Sequence, residues 1–173
     1  MRATTLGLLI FLVGCGPEPT TPTTCTSGVC ADGGVVINEL AGTGGDFVEL
    51  FNASDVEVDL SGYGLTDSDG DGGVRYATSL RFPSGTTIAA RGFFTIALEA
   101  DCLPTITPCL RGEFGLSQSN GDVVTFLDAQ NNTLGQQSYP ANAAASGSSW
   151  GRVYDGAPSF EVQRRSPGAA NAQ

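Results

Sequence analysis

The feature that most constrains the fold of this chain is a series of short β-type runs separated by turn residues. Apolar, β-branched and aromatic residues dominate residues 35–41 and 46–52, and the intervening residues 42–45 are Gly-Thr-Gly-Gly. Two such runs joined by a short glycine-rich linker are typical of a β-hairpin. The chain has no long stretch with the 3.6-residue period of an amphipathic helix. The sequence therefore predicts an all-β domain.

Further strand candidates follow the first hairpin at short intervals. They are residues 57–60, 63–66, 74–82, 93–99, 122–127 and 134–139. The 24 glycines and nine prolines of the chain favour turns between them. Short strands alternating with turn residues predict a sandwich or a barrel.

The N-terminus has the layout of a secretory signal peptide over residues 1–14. Arg2 precedes a short apolar run that stops at Cys15, whereas a membrane-spanning helix needs about 20 apolar residues. Residues 12–15, Leu-Val-Gly-Cys, resemble the lipobox of bacterial lipoproteins. The resemblance implies cleavage before Cys15 and attachment of acyl chains to it, which anchor a protein without a spanning helix. The alternative is an ordinary signal peptide followed by an incidental cysteine.

These observations divide the chain into three parts. Residues 1–14 are the predicted signal peptide, residues 15–34 the lipidated cysteine with a flexible Pro/Thr/Gly-rich tether, and residues 35–171 the β domain. The expected location is the cell envelope. The outer membrane is favoured because the residue after Cys15 is glycine and not the aspartate that retains some lipoproteins in the inner membrane.

Four cysteines remain if Cys15 carries lipid. Cys25, Cys30, Cys102 and Cys109 form an even set in an oxidising compartment, which predicts two disulfides. The close spacing within each couple favours Cys25–Cys30 and Cys102–Cys109. Free thiols or a zinc site are the alternatives, and zinc is disfavoured because neither couple has the C-x-x-C spacing.

Charge and composition exclude several functions. The chain has 18 acidic residues, eight arginines and no lysine or histidine, for a net charge of −10. Nucleic-acid binding relies on basic residues, so we expect no nucleic-acid partner. The missing histidine excludes Ser-His-Asp and Cys-His catalysis, and the missing lysine excludes the GxxxxGK[ST] phosphate loop. Only carboxylates remain for catalysis, and we expect no enzyme activity.

Several short motifs follow one another in a characteristic order through the predicted β domain. They are Val36-Ile37-Asn38-Glu39, residues 46–52, residues 58–67, residues 82–93, Phe114-Gly115-Leu116-Ser117, residues 121–128, Ser149-Trp150-Gly151-Arg152 and residues 167–171. Their order and spacing resemble the lamin tail domain, an immunoglobulin-like β-sandwich found on nuclear lamins and on many secreted bacterial proteins. The insertion at residues 101–112 departs from that pattern. The resemblance implies an immunoglobulin-like fold better known for binding than for catalysis.

One pair of carboxylates needs an explanation. If the first hairpin turns about Gly44, Glu39 faces Glu49 with Cβ atoms about 5 Å apart, where like charges repel. A functional interpretation is a retaining-glycosidase-like pair or a cation site. The structural interpretation, which we favour, is relief by a bridging arginine such as Arg81 or by a one-residue register slip.

A second candidate site is the acidic stretch at residues 67–72, Asp-Ser-Asp-Gly-Asp-Gly, which matches the opening of a calcium loop. The match fails at Thr78, which occupies the position of the bidentate glutamate. A weak calcium site at Asp67, Asp69 and Asp71 is one interpretation, and a solvated acidic turn is the other. We expect no other cofactor.

Trp150 is the one tryptophan of the chain, and it either closes an edge of the sandwich or is an exposed binding aromatic. Packing in the core or at an edge is favoured for a lone tryptophan in a small domain. The predicted function is a lipid-anchored, non-catalytic binding or structural module of the cell envelope. Its partner is an unidentified envelope or extracellular protein or polysaccharide. The alternatives are an accessory module that recruits a secreted hydrolase or nuclease, as lamin-tail-like domains often accompany such enzymes, and a carboxylate-dependent hydrolase.

Overall fold

The computed structural model describes residues 34–69 and 73–172, and in these two ranges the chain is almost entirely β. It forms short strands and one 3-10 turn, Tyr76–Thr78. The strands are β1 (Val35–Ala41), β2 (Phe47–Asn52), β3 (Val58–Asp59), β4 (Gly64–Thr66), β5 (Leu80–Arg81), β6 (Thr87–Ile88), β7 (Phe93–Leu98), β8 (Cys109–Gly112), β9 (Asp122–Leu127), β10 (Thr133–Tyr139), β11 (Ser148–Arg152) and β12 (Phe160–Arg164). Among the described residues no helix has the length and apolarity needed to cross a membrane.

Two sheets make up the immunoglobulin-like β-sandwich that the sequence predicts. The larger has six strands in the order β12-β11-β1-β2-β7-β8, and the smaller has four in the order β10-β9-β4-β5. All pairings are antiparallel except that of β7 with β8. The core contains side chains from both sheets, among them Leu40, Val48, Leu50, Ile96, Leu65, Val124 and Phe126. Burying a leucine or isoleucine of this kind contributes about 2 kcal/mol each.

The first hairpin confirms the prediction from the glycine-rich linker. Gly44 and Gly45 have φ values of 76° and 97°, a region that glycine adopts at little cost. A β-bulge lies between Ile37 and Glu39, and beyond it Glu39 pairs directly with Glu49. The register slip offered as a way to separate these two acids was therefore wrong, because the bulge absorbs the extra residue before the pair is reached.

Residues 74–82 do not form the single strand that the sequence predicts. Val74 makes an isolated bridge with Ser68, residues 76–78 form the 3-10 turn, and only Leu80–Arg81 is a strand. The side chains in the turn are exposed, including Tyr76 at 50%. A strand is stabilised by burying one of its faces, and this stretch has no sheet face to cover it.

The predicted bridge between Cys102 and Cys109 is present, with Cα atoms 6.0 Å apart. It closes the insertion at residues 101–112 and leads into β8, which pairs parallel to β7 with Cys109 beside Thr95. The insertion therefore supplies an additional edge strand to the larger sheet. Cys15, Cys25 and Cys30 lie outside the described residues, so lipidation and the second bridge stay predictions.

Candidate functional site

The buried carboxylate pair is the most unusual chemical feature of the sandwich. Strand alternation places Val48 and Leu50 in the core, so Glu49 points to the opposite, outer face of the larger sheet. Glu39, its direct partner on β1, lies on the same face. Both side chains are 0% exposed. Unpaired buried carboxylates are costly, so the pair needs hydrogen-bond donors close by.

The donors come from residues 165–172, which we call the C-terminal strap. The backbone N–H of Ser166 donates to Glu39 Oε1 over 3.0 Å, and its hydroxyl donates to Oε2 over 3.0 Å. The N–H of Gly168 donates to Glu49 Oε2 over 2.6 Å. Gly168 has a φ of 80°, and a Cβ there would lie 3.4 Å from Ile106 of the disulfide loop. The strap thus covers the pair and satisfies it with neutral donors.

A second set of hydrogen bonds fixes the strap to the bulge in β1. The side-chain amide of Asn38 donates to Glu49 Oε1 over 3.2 Å and to Asp155 Oδ1 over 3.0 Å. Asp155 Oδ1 also accepts from the N–H of Asn171 over 3.0 Å, and the Asn171 amide donates to the carbonyl of Arg152 over 2.7 Å. The bulge therefore has a structural role, since it places Asn38 at the centre of this network.

The bridging arginine proposed from the sequence was wrong. Arg81 donates to the carbonyl oxygens of Gly62 and Asp128, on the smaller sheet. The acids are instead accommodated by the strap and by a retained proton. Burial, together with the charge of Glu39, raises the pKa of Glu49 to about 8, and burial also raises the pKa of Glu39.

This geometry does not favour the glycosidase-like interpretation. Each carboxylate accepts hydrogen bonds from the scaffold and neither is exposed, so a substrate does not reach them while the strap is in place. The described residues also contain no group of three or more His, Cys, Asp or Glu side chains arranged to hold a metal ion. The pair is thus part of the scaffold that closes the outer face.

The acidic stretch of the calcium-loop prediction borders an open groove of about 810 Å³. Asp67, Asp69 and Asp122 line it together with Arg75 and Ser117. We call this feature the acidic groove. It lies where β4 ends and β9 begins, so sheet pairing brings Asp122 close to Asp67.

Two of the three acids accept hydrogen bonds from the scaffold through a carboxylate oxygen. Asp122 Oδ1 accepts from the hydroxyl of Ser68 over 2.6 Å, and Asp69 Oδ1 accepts from the N–H of Gly73 over 2.6 Å. Each bond uses a carboxylate oxygen that a cation would need.

Asp67 is the buried acid of the groove, with 6% exposure. Its Oδ2 lies 3.4 Å from Nη1 of Arg75, its Oδ1 has no hydrogen-bond partner, and burial raises its pKa. The structure therefore brings Asp67 and Asp69 to one groove. Asp71 lies outside the described residues, so calcium binding stays a prediction.

Trp150 packs at the edge of the core, as favoured from the sequence. It is opposite the buried Leu40 of β1 and stacks on Phe160 with ring centroids 6.3 Å apart. Sequence reasoning missed Phe160 and the polar residues of the strap. Residues 167–171 were noticed only as a family-like motif, and no periodicity in the strap indicated that it covers two buried acids.

Comparison with known proteins agrees with the architecture. The family model described as the lamin tail domain matches residues 29–141, which is more than half of the chain. No curated protein matches the chain. The matched range holds β1 to β10. The strap follows it, as do β11 and β12, which complete the larger sheet. On this match and on its immunoglobulin-like sandwich, the chain belongs to the lamin tail domain family.

Proposed function

We propose that this chain is a lipid-anchored, non-catalytic binding or structural module of the bacterial cell envelope, with the outer membrane as its favoured location. The observation that carries the proposal is the lipobox-like sequence at residues 12–15, placed directly after a short apolar run. The Pro/Thr/Gly-rich stretch that follows has the composition of a flexible linker. It precedes a folded domain that starts at β1. The expected partner is an envelope or extracellular protein or a polysaccharide.

The hydrogen bonds of the acidic side chains support a binding or structural role. Glu39, Glu49 and Asp155 are hydrogen-bonded to the strap and the bulge, and Asp122 is hydrogen-bonded to Ser68. A catalytic carboxylate has to contact the substrate, either to transfer a proton or to act as a nucleophile. Of these residues, Glu39 and Glu49 are fully buried.

The anchor is tested by replacing the cysteine that would carry the lipid. We expect Cys15→Ala to abolish incorporation of an alkyne-labelled fatty acid and to release the chain from membranes or leave it unprocessed. Cys30→Ala is the matched control, because it removes a cysteine from the same N-terminal region and leaves residues 12–15 intact. Normal acyl labelling of Cys15→Ala would refute the anchor.

A further inference from the structure

The larger sheet extends past the smaller one on one side of the sandwich. β10 is the edge strand of the smaller sheet, and it lies beneath β1 of the larger sheet. The Tyr139 hydroxyl at the end of β10 accepts a hydrogen bond from the N–H of Gly42, which follows β1. Residues 134–137 also share a cleft with residues 35–37. β11 and β12 continue the larger sheet beyond β1. The core-side face of these two strands therefore projects past the edge of β10.

The side chains on this projecting face are identified by strand alternation. Trp150 is directly opposite the core residue Leu40, so Trp150 and its alternate neighbours face the same way. We call the resulting surface the β11–β12 shelf. It comprises Ser148, Trp150, Arg152, Phe160, Val162 and Arg164.

The shelf is apolar and carries one accessible cation. Val162 is 53% exposed, and Phe160 and Trp150 are half-buried. Arg152 is buried, at 1% exposure, with its guanidinium 4.8 Å from the Phe160 ring centroid. Arg164 is exposed at the end of β12 and is the shelf cation that a ligand can reach. None of the six shelf residues is acidic, although the whole chain has a net charge of −10. The charge of the shelf is thus complementary to an acidic ligand.

Beside the shelf, β10 has a free edge without the usual protection. It pairs with β9 on one side only. Its sequence, Thr-Leu-Gly-Gln-Gln-Ser-Tyr, contains no charge and no proline. Proteins commonly protect exposed edges with lysine, proline or very short strands, because unpaired N–H and C=O groups are a template for another strand.

We propose that the corner formed by the free edge of β10 and the β11–β12 shelf binds an extended, acidic and apolar segment of a partner protein by strand addition. An added strand would lie about 4.8 Å from β10 and about 10 Å from the larger sheet, directly above the shelf. Its alternate apolar side chains would pack on Trp150, Phe160 and Val162, and its carboxylates would meet Arg164. This inference rests on the binding role proposed above and is independent of the lipid anchor.

The test measures peptide binding to the full chain, purified in mild detergent. The probes are two fluorescein-labelled heptapeptides with threonine at the even positions, valine at positions 3 and 5, and either glutamate or lysine at positions 1 and 7, so that the valines and the charged side chains lie on one face of the added strand. We expect fluorescence anisotropy to report at least tenfold tighter binding of the glutamate peptide. Hydrogen exchange of residues 133–139 should slow when that peptide binds, because their free N–H groups become hydrogen-bonded.

A matched pair of valine variants locates the contact. Val162→Glu should weaken binding of the glutamate peptide at least tenfold. Val56→Glu should leave it unchanged, because Val56 is similarly exposed, at 66%, and is not on the shelf. Both residues are exposed, so neither variant is expected to unfold the domain.

Three results would overturn the proposal. The first is equal affinity for the lysine peptide, and the second is equal loss of binding in both valine variants. The third is protection of residues 133–139 before peptide is added that is lost in Val162→Glu, which would mean that this chain itself, and not a partner protein, occupies the corner. Failure of the anchor shows in acyl labelling of Cys15 and leaves peptide binding unaffected, so the two proposals fail in different measurements.

Discussion

At the scale of single residues, the buried acids of the outer face have the clearest energetic consequence. Glu39 and Glu49 are paired across β1 and β2, and the hydrogen bonds that the C-terminal strap donates to them come from neutral groups. Backbone N–H groups carry no net charge, so they do not neutralise two buried carboxylates. The negative charge of the pair is removed by protonation instead. The stability of the domain should therefore depend on pH through these two groups.

The first residue-scale prediction concerns Glu49. Below its ordinary pKa of 4.5, Glu49 is protonated in both the folded and the unfolded chain. Between about 4.5 and about 8 the unfolded chain loses this proton while the folded chain keeps it, so the free energy of unfolding falls as pH rises through that window. Glu49→Gln should remove this dependence, changing the difference between pH 5 and pH 8 by at least about 1 kcal/mol.

Urea unfolding at the two pH values measures the effect. Glu57→Gln is the control, because Glu57 is an exposed glutamate and its replacement should leave the pH dependence of the wild type intact. A residual slope in Glu49→Gln is expected from Glu39, whose pKa burial also raises. An unchanged slope in Glu49→Gln would contradict the assignment of the retained proton.

The second residue-scale prediction concerns calcium at the acidic groove. Several carboxylates of the groove already accept scaffold hydrogen bonds, so any site should be weak, with a Kd of about 10⁻⁴ to 10⁻³ M. A ligand that binds the folded chain raises its melting temperature by mass action. Millimolar calcium should therefore raise the melting temperature of the wild type more than that of Asp69→Ala.

Asp55→Ala is the control for this experiment, because Asp55 is an exposed acid paired with Arg91 and does not line the groove. It should respond to calcium as the wild type does. Equal shifts in the wild type and in Asp69→Ala would show that residues 67–72 are only a solvated acidic turn.

At the scale of elements, the insertion lies beside the strap that covers the carboxylate pair. The disulfide loop places Ile106 against Gly168 of the strap, and Gly168 donates to Glu49. The insertion, which departs from the family-like pattern, therefore lies next to the strap that covers the carboxylate pair. Its disulfide closes the loop that carries Ile106.

The prediction at this scale is the contribution of that disulfide. It closes a loop with a sequence separation of 7, and such short loops restrict the unfolded chain modestly. The double variant Cys102→Ala, Cys109→Ala should lower the free energy of unfolding by about 2 kcal/mol in urea titrations.

Mass spectrometry of the unreduced chain should show Cys102 linked to Cys109, with Cys25 linked to Cys30. A link between one couple and the other would contradict the local pairing.

At the scale of the whole molecule, the sequence predicts the fold class but does not predict every strand of the sandwich. Runs with clear apolar patterning were placed well, such as residues 122–127, because burial of a sheet face determines both pattern and structure. β11 reads Ser-Ser-Trp-Gly-Arg and β12 reads Phe-Glu-Val-Gln-Arg, and neither was predicted. Their strand state depends on pairing with β1 and with each other, which local propensity does not report.

The same reasoning explains what was and was not predicted of the sites. The facing of Glu39 and Glu49 followed from hairpin geometry, which is local in sequence. The strap lies about 120 residues further along the chain, so no local pattern linked it to the pair. The free edge of β10 likewise becomes evident only once the strand order of both sheets is known.

The position of β1 at the interior of the larger sheet also determines how the domain bears mechanical load. β1 is hydrogen-bonded to β2 on one side and to β11 on the other, and it is the first strand after the N-terminal stretch. A pull transmitted through the residues before Gly34 acts along β1, parallel to its axis. Both ladders of hydrogen bonds then resist in shear at the same time, whereas an edge strand pulled from its end would unzip one bond after another. The topology thus gives the first strand of the domain two pairings that would bear such a load together.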